Sequence, residues 1–402
     1  VNQWALQKIS AEQAWDVSHG SSNVVVAIVD NGVRINHQDL SGNLWTNTGE
    51  TANNGLDDDF NGYTDDVHGY DVADNDADPS PPTGISQSDE WNHGTHCAGI
   101  ASAATNNGTG IASVGFNTRI MAVKCTKSSS GNGGQLTNVD DGITYAMRNG
   151  ANVISMSFGS NGSSVTEQLL ISSCINKGIV MVAAAGNDDT TAAFYPAAYN
   201  GVICVGATDQ NDKKASFSNY GSRVDVMAPG VGIYSTLASG SGSDYGFFSG
   251  TSMACPMVAG LAGLVLAVHP SFTPAQVANQ IKSTADNISA ENPGLNGMLG
   301  GGRINASRAI GGSTSTGITA VNALTGVKLF PNPFSSQVAI TGLIPNGNCV
   351  IECYDMEGRR VATPVNAQGT GAVVETSGLA TGAYIIKLTS GGESACFRLM
   401  KF

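Results

Sequence analysis

Val24-Val25-Val26-Ala27-Ile28-Val29-Asp30 is an unbroken apolar run, mostly β-branched, that ends in a carboxylate followed by the breakers Asn31 and Gly32. It lacks the polar alternation of a strand with one wet face, so it predicts a strand covered on both sides in a parallel sheet. A polar group at the carboxyl end of such a strand stands where open α/β sheets place their sites. From Arg119 the chain alternates as a doubly wound sheet requires: strand 120–124, helix 136–149, strand 153–157, helix 165–177, strand 179–184. Another strand is expected over 202–205 and closing helices over 273–284 and 303–310. The fold class is therefore α/β, with a doubly wound, mostly parallel sheet.

Two further stretches carry chemistry. In His93-Gly94-Thr95-His96-Cys97-Ala98-Gly99 a histidine opens a helix of small residues running to Ala104. In Ser249-Gly250-Thr251-Ser252-Met253-Ala254-Cys255-Pro256 a small-residue turn delivers Ser252 to the start of a helix that continues as the apolar run Met257 to Val268. Its hydroxyl there shares the helix terminus with unpaired N–H groups and the positive end of the dipole. A Thr-Ser pair in that position is ordinarily an N-cap. Together with Asp30 and His93, Ser252 instead completes an orienting acid, a base and a nucleophile in the chain order Asp, His, Ser.

With Ser157-Phe158-Gly159, Ala183-Ala184-Ala185-Gly186-Asn187 and Asp225-Val226-Met227-Ala228-Pro229-Gly230, these strings stand in the order of one family. The chain resembles the subtilisin-like serine proteases over roughly residues 5 to 310. The resemblance implies an acyl-enzyme mechanism with Ser252 as nucleophile, His93 as base and Asp30 as its orienter. It makes Asn187 the side-chain donor to the oxyanion. It also implies that Gly133 and Gly134 pair with an extended substrate on one side, with Ser157, Phe158, Gly159 and Gly186 on the other. Phe194 falls near the floor of the pocket for the residue before the cleaved bond, where many relatives have something small. If its ring points inward, the pocket is shallow. His96 is expected to brace its helix, and His19, His37, His68 and His269 read as structural.

At 402 residues the chain is long for one core. A peptidase domain at 1–310, a Gly/Ser/Thr-rich linker at 311–326 and a second domain at 327–402 are expected. The formal charge is 19 minus 32, or −13, and the residues before about 320 hold 13 basic against 27 acidic groups, or −14. Such a surface repels nucleic acid and anionic lipid. No run reaches the roughly 18 uninterrupted apolar residues of a membrane span, and a monomer is expected. The start at Val1 does not read as a signal peptide, and the resemblance implies that a signal and a pro-segment have been removed. Of eight cysteines, Cys97 and Cys255 read as buried packing thiols, and Cys174 and Cys204 could pair across neighbouring elements. Cys349, Cys353 and Cys396 share the rear domain.

Residues 35–118 contain no Lys or Arg yet carry thirteen acids, twelve of them from Glu50 to Glu90. Uncompensated charge of one sign favours the unfolded chain, so a divalent cation is expected. Asp57, Asp59 and Asn61 stand at positions 1, 3 and 5 of a calcium-loop pattern with Gly62 at 6, the Tyr63 carbonyl at 7 and Asp66 or Asp65 to close. Asp74, Asn75, Asp76 and Asp78 form a second cluster that turn chemistry explains equally well. By resemblance, Asp39 and the loop 105–111 with Asn107 match a further calcium site, whose ligand from the amino-terminal arm would fall at or before Val1.

After the linker, short alternating strands near 337–341, 348–354, 372–375, 383–388 and 394–400 predict a small all-β antiparallel sandwich. An adhesion or sugar-binding module has the same outline. Pro331-Asn332-Pro333, Tyr354-Asp355-Met356-Glu357-Gly358-Arg359, Leu379-Ala380-Thr381-Gly382-Ala383-Tyr384 and Lys401-Phe402 resemble the C-terminal sorting domain of type IX secretion. That resemblance implies a secreted or cell-surface protein whose tail engages the secretion machinery. The expectation is a secreted, calcium-stabilised endopeptidase of broad specificity acting on proteins and peptides. The alternative is an adhesin built on an inactive protease scaffold.

Overall fold

The β-branched run forms β1 (Val25–Asp30), buried along its whole length. In the computed structural model it joins β2 (Gly69–Asp71), β3 (Arg119–Lys124), β4 (Val153–Met156), β5 (Val180–Ala184), β6 (Val202–Thr208) and β7 (Val226–Pro229). The seven strands are parallel in the order β2-β3-β1-β4-β5-β6-β7. β3 lies on one side of β1 and β4 on the other, so the winding reverses beside β1. A crevice therefore opens at its carboxyl end, where Asp30 stands. The described residues are 2–240, 243–311, 327–331, 334–342, 349–355, 359–361, 363–368, 371–390 and 393–401. Residues 312–326 of the expected linker lie outside them, as do Asn332, Pro333, Met356, Glu357, Gly358 and Phe402.

Both faces of the sheet are covered, which is why β1 shows no alternation. Val26 and Ile28 pack in one core with Ala98, Ala101, Leu261 and Val265, and Val25, Ala27 and Val29 in the other with Ile143, Ala146 and Ile171. The helices supplying those residues are α3 (His93–Ser102), α4 (Val139–Arg148), α5 (Val165–Asn176) and α6 (Thr251–Val268). α6 is long and apolar enough to cross a membrane by length and composition, although Thr251, Ser252 and Pro256 interrupt its apolar run, and 83% of it is buried. Val258, Leu261, Leu264 and Val265 are fully buried, each such side chain contributing about 1.5–3 kcal/mol.

The expected helix over 136–149 begins later, at Val139. Residues 136–138 stay outside the helix because the amides of Thr137 and Asn138 both donate to the Cys125 carbonyl beyond β3. The arm folds as two short helices, α1 (Trp4–Lys8) and α2 (Ala11–Trp15). A hairpin unread in the sequence, Ile233–Leu237 with Asp244–Phe248, lies against α3. Cys174 and Cys204 are unpaired thiols, as are Cys349 and Cys353.

The chain divides into two compact units, Val1–Gly312 and Ser313–Phe402. The second holds two four-stranded antiparallel sheets. One is Lys328–Phe330, Gln337–Thr341, Gly371–Glu375 and Val365–Gln368; the other is Arg360–Val361, Val350–Tyr354, Gly382–Ser390 and Glu393–Lys401. Val338, Ile340 and Val374 from the first meet Ile386, Leu388 and Leu399 from the second in one core. Three of these strands, at 328–330, 360–361 and 365–368, were not expected.

Candidate active site

Asp30 ends β1 with its side chain 1% exposed, and His93 opens α3 with its side chain 27% exposed. His93 Nδ1 lies 2.8 and 3.0 Å from the two Asp30 carboxylate oxygens. Burial pushes the imidazole pKa down, but the Asp30 charge, the neighbouring Cys97 and the hydrogen bonds to both together outweigh it and hold the value well above the usual histidine range. Asn31 fixes this junction: its Oδ1 accepts from Gly94 N, and its Nδ2 donates to the carbonyls of Glu90 and Gly133. The sequence reading took Asn31 only as a breaker. His96 is also fully buried, and its Nε2 reaches the carbonyls of Ile233 and Gly246. Desolvation lowers its pKa to about 3, so it braces the hairpin as a neutral ring.

Ser252 is the second residue of α6. Pro256, four residues on, has no N–H, so the Ser252 carbonyl lacks its helical partner. The Ser157 hydroxyl donates to it at 2.8 Å and the Cys97 thiol at 3.4 Å. The Ser252 hydroxyl in turn donates to the Ser157 carbonyl at 3.1 Å. In this resting geometry the hydroxyl has turned to the cleft wall.

Asn187 follows Gly186, whose φ of +100° turns the chain out of β5. Its Oδ1 accepts from Thr251 N at 2.9 Å and Thr251 Oγ1 at 3.0 Å. Both contacts are to donors, so the amide orientation is determined and Nδ2 points away from them. Thr251, read in the sequence only as a helix start, is thus the residue that aims Asn187. Ser252 N lies in the first helical turn, where amides have no intrahelical acceptor.

Asn31, His93, Asn187 and Ser252 line one cleft of about 1090 Å³. Gly133 and Gly134 line it as well, as do Ser157, Phe158, Gly159, Gly186 and Phe194. The sequence-expected nucleophile, base, oxyanion donor and walls therefore meet at one rim of the sheet.

The acidic segment gathers elsewhere. Glu50, Asp59 and Asp66 each bring a carboxylate oxygen within 4.8 Å of the others. Asp66 is fully buried, and burial raises its pKa against hydrogen bonds from Tyr145, Asn47 and Asn61. Three carboxylates converge, and their recorded hydrogen-bond partners are amide N–H and hydroxyl donors rather than a Lys or Arg side chain; carboxylate oxygens are the ligands a hard divalent cation takes. Glu50 and Asn47 were missed in the sequence because they precede the loop pattern.

Asp57 stands outside that group of three; its oxygens accept from the backbone of Asn61 and Gly62, as those of Glu50 accept from Asp58, Asp59 and Asp65. Asp65 instead receives the amides of Asn54 and Gly55, and Tyr63 N donates to Asn61 Oδ1. Of the second cluster, Asp74 hydrogen-bonds Lys124, which also meets Asp71, while Asp76 and Asp78 accept from the backbone amides of Asp78 and Ser80 as turn residues do. At Asp39 one oxygen accepts from Asn107 Nδ2 and the other from Ile111 N, each at 2.7 Å. From the arm, Gln3 pairs with the Ala112 backbone in both directions, next to that loop.

Residues 21–302 match the subtilase family, peptidase S8, and residues 328–401 match the secretion system C-terminal sorting domain. Thermitase of Thermoactinomyces vulgaris is 44% identical over 308 residues, 77% of this chain and 95% of its own length. Subtilisin E of Bacillus subtilis is 36% identical over 286 residues, covering 70% of this chain and 65% of its own. A solved protease of Pseudoalteromonas arctica PAMC 21717 superposes with a TM-score of 0.63 at 33% identity, over 77% of this chain and 96% of that one. The family match spans most of the sheet and every residue placed around the cleft, and the chain belongs to the subtilases: it is a serine endopeptidase whose peptidase domain is followed by a type IX secretion sorting domain.

Proposed function

We propose that this chain is a secreted, calcium-stabilised endopeptidase that cleaves proteins through an acyl-enzyme formed on Ser252. The observation that carries this reading is the His93–Asp30 pair, at 2.8 Å, in the same cleft as Ser252 and a donor-aimed Asn187. The Ser252 hydroxyl turns from Ser157 to His93 Nε2 and gives up its proton as its oxygen bonds to the substrate carbonyl carbon. Asp30 holds the imidazole in the tautomer that leaves Nε2 free to accept, and then stabilises the imidazolium. The oxyanion lies against Asn187 Nδ2 and Ser252 N. As the tetrahedral adduct collapses, the C–N bond breaks and His93 protonates the leaving amine. Water then repeats the sequence on the ester and restores Ser252.

An extended peptide between the Gly133–Gly134 edge and the Ser157–Gly159 edge is held chiefly by main-chain bonds, which supports broad sequence tolerance. Glu50, Asp59 and Asp66, with Asn47 and Asn61, would hold the calcium ion. None of these residues lines the cleft, which supports a role for the ion in stability, by mass action on the folded state. The sorting domain supports export to the cell surface or medium. Ser252→Ala is expected to abolish casein hydrolysis with an unchanged melting curve; activity retained in that variant would place the nucleophile elsewhere.

A further inference from the structure

Asn31 follows Asp30 at the end of β1 and is buried. Its backbone amide donates to Asp30 Oδ1 at 2.8 Å, the same oxygen that lies 2.8 Å from His93 Nδ1. Its side chain spans two other stretches of chain. Oδ1 accepts from Gly94 N at 2.9 Å, while Nδ2 donates to the Glu90 carbonyl at 2.7 Å and to the Gly133 carbonyl at 3.1 Å. One contact is to a donor and two are to acceptors, so the orientation of the amide is determined.

These bonds bracket the base. Glu90 opens the short turn Glu90–Asn92 that leads into α3, and Gly94 is the residue after His93. The third bond goes to Gly133, on the edge where the extended peptide lies in the reading above. The stretches are also in direct contact. A Cβ on Gly94 would lie 2.4 Å from the Gly32 carbonyl oxygen, and one on Gly133 would lie 2.7 Å from Cγ of the buried Trp91. Two links therefore join the Gly133 edge to the turn that carries His93: the Trp91 ring and the Asn31 amide. Asn31 is the one that also holds Asp30.

We propose that Asn31 is a positioning residue that couples the substrate edge to the His93–Asp30 pair, so that a peptide seated along Gly133–Gly134 holds His93 in register with Ser252. The proposal rests on the acyl-enzyme reading and on the peptide lying along that edge. A misplacement of about 1 Å in a reacting group costs about 100-fold in rate, so small shifts of the His93 turn are enough for the coupling to act.

The test compares two amides with the same leaving group, one an extended peptide that covers the edge and one with a single acylated residue that does not reach it. The full chain is assayed beside Asn31→Ala, which removes the whole amide, and Asn31→Ser, whose hydroxyl is too short to span both stretches. Active enzyme is counted by fluorophosphonate labelling, so a variant that merely folds less well loses labelled sites and keeps its kcat per site. The native chain is expected to turn over the extended amide with the higher kcat. Per labelled site, Asn31→Ala should lose about 100-fold in kcat on the extended amide and far less on the short one. If Asn31→Ala does not fold, Asn31→Ser decides by the same comparison. An unchanged kcat per site, equal losses on the two amides, or a rise in KM at constant kcat would overturn the proposal while leaving the protease reading intact. A native chain that does not label, or that gains nothing from the longer substrate, would overturn the reading on which the proposal rests.

Discussion

Replacing Asn187 separates electrostatic stabilisation of the transition state from substrate binding. Its Oδ1 is fixed by Thr251 N and Oγ1, so only Nδ2 faces the cleft, where charge develops on the substrate oxygen. Asn187→Leu keeps the approximate volume and removes the donor, a loss of about 10²- to 10³-fold in kcat, or about 2.7–4 kcal/mol. Asn187→Asp keeps an acceptor for Thr251 but presents a carboxylate to the oxyanion, so its loss is expected to be greater still. Asn187→Leu also leaves the two Thr251 donors without an acceptor, costing stability of about 1–3 kcal/mol. Kinetics are therefore read well below the melting temperature. The assay is kcat and KM on a peptide amide. An interaction made only in the transition state lowers kcat and kcat/KM together. A fall of kcat of less than about 5-fold, or a rise in KM at constant kcat, would refute the assignment.

Two other predictions follow from charge. Asp30→Asn removes the charge that raises the His93 pKa. His93 must be neutral to accept the proton, so activity develops as pH rises through that pKa. The acid limb of kcat/KM should move to lower pH in the variant, with turnover reduced by about 10⁴-fold; an unmoved limb would remove Asp30 from the titration. EDTA should lower the melting temperature by about 5 °C or more, since an ion at 100 times its Kd contributes about 2.7 kcal/mol. Asp66→Asn should abolish that sensitivity, and an unchanged native curve in EDTA would argue against the ion.

Much of this architecture was legible because local and global signals agree. A β-branched run without alternation has one stable setting, a strand covered on both faces, and β1 takes it. Asp30, His93 and Ser252 stood beside strand ends and helix starts and could be read in place, whereas the part of Asn187 came only from the family resemblance. What could not be read depended on partners distant in the chain. Thr251 aims Asn187 across 64 residues, and Asn31 ties Gly133 across 102. Glu50 joins Asp59 and Asp66 only because the intervening loop folds back, a closure that the linear loop pattern does not reveal. Helix α4 starts late because Thr137 and Asn138 donate to Cys125, a tertiary contact that local propensity does not reveal.

The central claim is that Ser252 is the nucleophile activated by His93. Labelling the full chain with a fluorophosphonate and mapping the adduct by peptide mass spectrometry tests it directly. The expected result is one adduct, on the Ser252 hydroxyl, lost in parallel with peptidase activity in His93→Ala. An adduct on another residue, or full peptidase activity in a chain that Ser252 does not label, would contradict it.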